Sequence, residues 1–170
     1  MKKLFLLSGM ALAFVVGVNA MEQERPATYK MLDPLVEKYN WPAIFAVLDQ
    51  MQGVIDVNEY RSPDGFPLLV LAAIDMSFLA VKTLLEKYKA NPNVQVSSRD
   101  INKGGTSLEW ACYNSGSRPK KSVPIVKLLL HYGANPYIKN ARGYDSFTWA
   151  EQIPSLLKLL QEYGYSRKPA

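Results

Sequence analysis

"GGTSLEWAC", residues 104–112, runs from a pair of glycines through a polar turn into a compact apolar block. Two fainter versions flank it, GFPLLVLAA (65–73) and GYDSFTWAE (143–151). Their leading glycines, Gly65, Gly104 and Gly143, stand 39 residues apart. Gly104 offers the residue type that takes a positive φ most easily, which suits the end of a turn. Thr106 lies three residues before Glu109, the spacing of a capping box, in which hydroxyl and carboxylate each satisfy one orphan N–H of a helix start. Asp145 can cap the matching helix of the last phrase. Leu108 with Trp110, and Phe147 with Trp149, read as large interior side chains. Ala72, Ala111 and Ala150 share one small position where helices could approach closely.

Each phrase is followed by a second apolar segment: MSFLAVKTLLEKY (76–88), VPIVKLLLHYG (123–133) and IPSLLKLLQEYG (153–164). Their apolar residues recur at helical spacing, and none alternates as a strand would. The exits read DVN (56–58, from an earlier unit), ANPN (90–93) and ANPY (134–137). Upstream, LDPLVEKY (32–39) and WPAIFAVLDQM (41–51) read as helices, with Asp33 as a cap and Pro34 and Pro42 at first helical positions, where a missing N–H costs nothing. The chain is therefore expected to be all-α, with helices in pairs. One such pair cannot bury its apolar face alone, whereas three or more stacked pairs share a continuous core.

This pattern resembles the ankyrin repeat, in which a finger hairpin precedes a first helix, a Leu-rich second helix and a polar exit. TSLEWA and KLLLHYGANP carry the likeness best, and it extends over about residues 28–166. It implies a solenoid of about four helix pairs with finger loops. The expected divisions are a signal peptide (1–20), a flexible lead-in (21–29), a repeat domain (30–166) and a tail (167–170). Within the domain an N-terminal cap repeat (about 28–58) is followed by repeats at 59–93 and 94–137 and a C-terminal cap repeat (138–166). The family period is about 33 residues, so the shared 39 reads as two unrelated insertions. One lengthens the finger after Asn93, in VQVSSRDINK (94–103); the other separates two helices, in YNSGSRPKKSVP (113–124). The motif histidine is replaced by Val70, Glu109 and Thr148, which predicts that its usual network is absent. Pro67 stands where Thr is expected, which would let that helix start shift by one.

Twenty Lys+Arg against 15 Asp+Glu give a formal charge of +5. The opening MKKLFLLSGMALAFVVGVNA places Lys2 and Lys3 before an apolar stretch and ends in small residues, the layout of a secretory signal. Cleavage after Ala20 would leave 18 basic and 15 acidic residues, a net of +3 with no basic run longer than two. Nucleic-acid binding usually needs a clustered basic face, so none is expected. The brief Lys-Lys start points to a bacterial periplasm, with no membrane attachment after cleavage and a further step needed for secretion.

The chain has one histidine, His131, and one cysteine, Cys112. Cys–His catalysis would need them adjacent, and zinc would need about three or four ligands. Repeat register places Cys112 in a buried slot and His131 in the last turn of a second helix, where a partly positive ring suits the helix dipole. No catalytic residue, metal or cofactor is expected. The basic cluster SRPKK (117–121) reads as a solvated inter-helix loop.

The resemblance implies a monomeric, non-enzymatic protein that binds another protein through the finger tips and the exposed face of the first helices. Transferred position by position, that surface holds Tyr60, Arg61, Phe66, Arg99, Lys103, Tyr113, Asn114, Arg142 and Tyr144. Aromatic and arginine side chains are frequent interface anchors, and Phe66, Tyr113, Arg142 and Tyr144 would form a ridge across neighbouring units. The roles implied are inhibitor, immunity protein or companion of a secreted enzyme. The alternative is a hydrolase using carboxylates on the same face.

Overall fold

The computed structural model describes residues 25–98 and 103–167. The expected signal peptide, residues 21–24 of the lead-in, Arg99 and the end of the tail lie outside them. The described residues are all-helical, without strands: α1 (Ala27–Lys30), α2 (Asp33–Val36), α3 (Trp41–Gln50), α4 (Leu68–Ile74), α5 (Phe78–Glu86), α6 (Ser107–Ser115), α7 (Pro119–His131), α8 (Ser146–Ala150) and α9 (Pro154–Glu162). Helices pack in pairs, α2 with α3, α4 with α5, α6 with α7 and α8 with α9. The first helices α4, α6 and α8 stack in one row, while α5 and α7 meet in a second.

The second helices follow from their patterns. In α5 the Ser77 hydroxyl accepts from the Ala80 N–H at 3.3 Å, and Ala80, Val81, Leu84 and Leu85 form one buried face. In α9 Leu156, Leu159 and Leu160 do the same. Burying each such leucine contributes roughly 1.5–3 kcal/mol; α5 is covered by α4 and α7, and α9 by α8. Ala72, Ala111 and Ala150 are all fully buried, and they lie on the three stacked first helices.

The phrase glycines set the fingers. Gly65 and Gly104 both have φ +83°. A Cβ on Gly65 would sit 2.6 Å from the Ser98 backbone nitrogen, so this residue is excluded to every side chain on two grounds. The fingers are bonded to each other: the Ser97 N–H donates to the Gly65 carbonyl at 3.0 Å, and the Ala141 N–H to the Lys103 carbonyl at 2.7 Å. On the exit side asparagines link the repeats. The Asn91 N–H donates to Asn58 Oδ1 and the Asn135 N–H to Asn93 Oδ1, each at 2.7 Å. Tyr137 stands at the next rung, stacks on Phe147 and donates to the Ser166 carbonyl at 2.7 Å.

Several expectations are corrected. Pro67 does not shift its helix. It occupies the N-cap of α4, the register that Thr106 and Asp145 occupy before α6 and α8. The residues between the third pair's helices do not form a long loop, because α6 runs to Ser115 and α7 begins at Pro119. Most of SRPKK is thus helical. The pair is stitched by the buried Ser115 and Ser122 hydroxyls, 2.7 Å apart, and tolerates Pro124 inside α7 at the loss of one backbone bond. Asp33 is not a cap: it receives both terminal nitrogens of Arg25 at 2.7 Å and the Tyr60 hydroxyl at 3.0 Å. Residues 25–29, expected as the end of a flexible lead-in, are held by that ion pair and by α1.

Candidate partner-binding cleft

The nine candidate surface residues meet different fates. Tyr60 is a correction: it is 0% exposed, one of the largest fully buried side chains. Its hydroxyl reaches Asp33 and the Arg25 guanidinium lies 5.6 Å from its ring centre, so burial and the neighbouring carboxylate push its pKa up. Arg61 is half-buried, and its Nη1 donates to the carbonyls of Asn58 at 2.6 Å and Tyr60 at 2.8 Å. It fastens a loop. Asn114 is half-buried, with Nδ2 buried and unpartnered. Lys103 is exposed on its finger. Phe66, Tyr113, Arg142 and Tyr144 come together, and what joins them is a pair of residues assigned to the interior.

Those two are Trp110 and Trp149. Leu108 and Phe147 are fully buried, but residues two apart on a helix point to different sides. The tryptophans therefore face outward and are only half-buried. They complete a row of rings: Phe66 to Trp110 at 6.3 Å, Trp110 to Tyr113 at 5.9 Å, Tyr113 to Trp149 at 4.9 Å and Trp149 to Tyr144 at 5.5 Å. The last three contacts are edge-to-face, the geometry that aromatic quadrupoles favour. Tyr113 is 52% exposed and Tyr144 38%.

Between α6, α8 and the 140–144 turn these rings frame a cleft of about 240 Å³, lined by Trp110, Tyr113, Arg142, Tyr144, Trp149 and, among them, Glu109. Thr106 caps α6 as expected, its hydroxyl accepting from the Glu109 N–H at 3.3 Å. The Glu109 carboxylate reaches back towards the Thr106 backbone N–H without completing the reciprocal box. Its Oε1 instead accepts from Asn140 Nδ2 at 2.5 Å and lies 3.5 Å from Trp149 Nε1, while Oε2 is buried without a partner. The residue is 5% exposed. Burial, opposed by these donors, raises its pKa above the ordinary carboxylate value. The reciprocal box forms in the last phrase, where Asp145 and Thr148 each bond the other's backbone N–H. The Asn140 amide is fully committed: Oδ1 accepts from the N–H groups of Arg142 and Tyr144, and Nδ2 holds Glu109. The histidine position thus carries a network after all, built by a carboxylate onto the next finger.

Cys112 is buried, and burial pushes its thiol up to about 12, which keeps it protonated and a poor nucleophile at neutral pH. His131 ends α7, exposed, with its ring 5.4 Å from that of Tyr132. Among the described residues no group of three or more His, Cys, Asp or Glu could hold a metal, and no helix is long and apolar enough to cross a membrane.

A recurring finger turn, a capped first helix, a second helix and an asparagine exit are now in place. Residues 103–141 match the ankyrin repeat. A putative ankyrin repeat protein of Acanthamoeba polyphaga mimivirus is 32% identical over 101 residues. That match covers 59% of this chain but only 22% of the relative's length. A chain from the crystal structure of the yeast ribosomal protein Rps3 in complex with its chaperone Yar1 aligns with a TM-score of 0.63 at 20% identity, covering 83% of this chain and 96% of that one. At that identity the likeness is one of fold. Ankyrin repeats mediate binding between proteins and generally serve as non-enzymatic scaffolds.

Proposed function

We propose that this chain binds a partner protein through the ring-lined surface of its first helices. The observation that carries the reading is the continuous row Phe66, Trp110, Tyr113, Trp149 and Tyr144, which spans three repeats and leaves Tyr113 largely exposed. An aromatic row costs solubility unless something covers it, and aromatic side chains anchor interfaces at low entropic cost. We place the protein in a bacterial periplasm, on the strength of its first twenty residues, as a monomeric and non-enzymatic inhibitor, immunity protein or companion of a secreted enzyme.

The hydrolase alternative gains one feature, the buried Glu109 carboxylate with its raised pKa. A paired-carboxylate mechanism needs a second group. Asp145 is committed to the cap of α8 and to Arg167 at 3.0 Å, which favours binding over hydrolysis.

The test is affinity capture from the cell envelope of the source organism by the tagged, exported protein, beside its Tyr113→Ala variant. A protein retained by the parent and lost from Tyr113→Ala, with unchanged thermal melting, supports the reading. Equal retention by both removes the row from the interface.

A further inference from the structure

We infer that the cleft beside Glu109 receives one lysine or arginine side chain of the partner protein. The inference rests on the binding role proposed above and specifies its chemistry.

Three observations converge. The first is the orphaned Oε2 of Glu109: a buried carboxylate oxygen without a hydrogen bond is costly, and a native structure that keeps one commonly completes it with another group. The second is the wall. Trp110, Tyr113, Tyr144 and Trp149 line the same cleft as Glu109, and the faces of such rings attract a cation electrostatically. Methylenes pack on them as the head group passes. The third is size. Small-molecule pockets run from about 300 to 1,000 Å³, and the cleft, at about 240 Å³, falls below that range. It suits the end of one long side chain.

The surrounding charges are mixed. Asn140 and Trp149 hold Oε1 and leave Oε2 spare. Asp145 is engaged by Arg167. Arg142, which also lines the cleft, has no ion pair among the described residues; its charge opposes the incoming cation that Glu109 attracts, and offers a seat for an acidic neighbour of that side chain.

The test needs no partner. Blocked tripeptides acetyl-Gly-X-Gly-amide, with X lysine, arginine, norleucine or glutamate, are titrated while the indole N–H resonances of Trp110 and Trp149 are followed, with Trp41 as an internal reference. Saturable shifts are expected with lysine or arginine and none with norleucine, which matches lysine's four side-chain carbons but lacks its charge. Glu109→Gln should weaken the cationic peptide about tenfold or more, since hydrogen bonds to an ionised group are about twice as strong as neutral ones. Arg142→Ala, which removes a like charge from the cleft lining, should tighten it. Tyr113→Ala, remote from the carboxylate's hydrogen bonds, should also weaken it, so the result does not hang on one variant. The inference is overturned if norleucine binds as well as lysine, if Glu109→Gln has no effect, if neither cation shifts the indoles, or if glutamate binds and Arg142→Ala abolishes it. Any of these can occur while Tyr113→Ala still releases a captured partner, in which case the binding role stands and its chemistry is wrong.

Discussion

The row of phrase helices has two junctions built from the same parts, α4 against α6 and α6 against α8, and they are finished differently. At the fourth residue of the phrase helix, counted from the cap, the first junction has Val70, fully buried; the second has Glu109, buried yet short of one hydrogen bond. The turn that leads into α8 and the turn that leads into α4 share a backbone but differ in the residue that closes it. Ser62 uses one hydroxyl to accept from the Phe66 N–H. Asn140 does the same with its oxygen and has an amide nitrogen left over for Glu109. At the second junction the polar cleft rests on two residues, Glu109 and Asn140, while α6 keeps the cap register of α4.

The strongest way to break this comparison is to force the second solution onto the first junction. Val70→Glu buries a carboxylate where nothing is known to receive it, and should cost on the order of 4 kcal/mol or more. Circular dichroism should find it unfolded or melting far below the parent; a near-normal melt would mean the first junction can open as well. Next comes the turn glycine. Gly65→Ala meets both positive φ and the Ser98 backbone at 2.6 Å, and should cost about 2–3 kcal/mol in urea unfolding. Gly143→Ala shares the conformation, at φ +80°, but meets nothing within 4 Å, and should cost only about 1 kcal/mol. Equal losses would show that the close approach of the fingers contributes nothing.

The smallest effect depends on pH. Burial raises the pKa of Glu109, so the folded protein holds that proton more tightly than the unfolded chain. The stability this group contributes is complete below the ordinary carboxylate range, about pH 4, and is lost as pH rises through its higher folded value. Glutamine does not titrate. Glu109→Gln should therefore melt above the parent at pH 7.5, with the gap closing as pH falls towards 4. A gap that widens on acidification would place the carboxylate in a stabilising pair.

The architecture was readable because it rests on local signals. Gly104 with Thr106, the leucine spacing of the second helices and the shared alanines each report on their own turn of chain. The cleft was less so. T-x-x-E is a sequence-local pattern and marks Glu109 as a capping partner, but the side chain that holds its carboxylate is 31 residues away on another repeat. Hydrophobicity alone puts Trp110 and Trp149 inside, whereas the two-residue step from Leu108 and Phe147 turns them outward. Tyr60 failed the opposite way. Its place near a finger suggested exposure, and nothing local announces that Arg25 and Asp33 close over it.

The double duty of Asn140 has a mechanical consequence. One amide both locks the backbone hydrogens of Arg142 and Tyr144 and steadies the carboxylate behind them. Whatever tugs on Glu109 must therefore be felt at the loop tip. The deuterium uptake of those two amides becomes a gauge of whether the niche is full, readable without knowing what fills it.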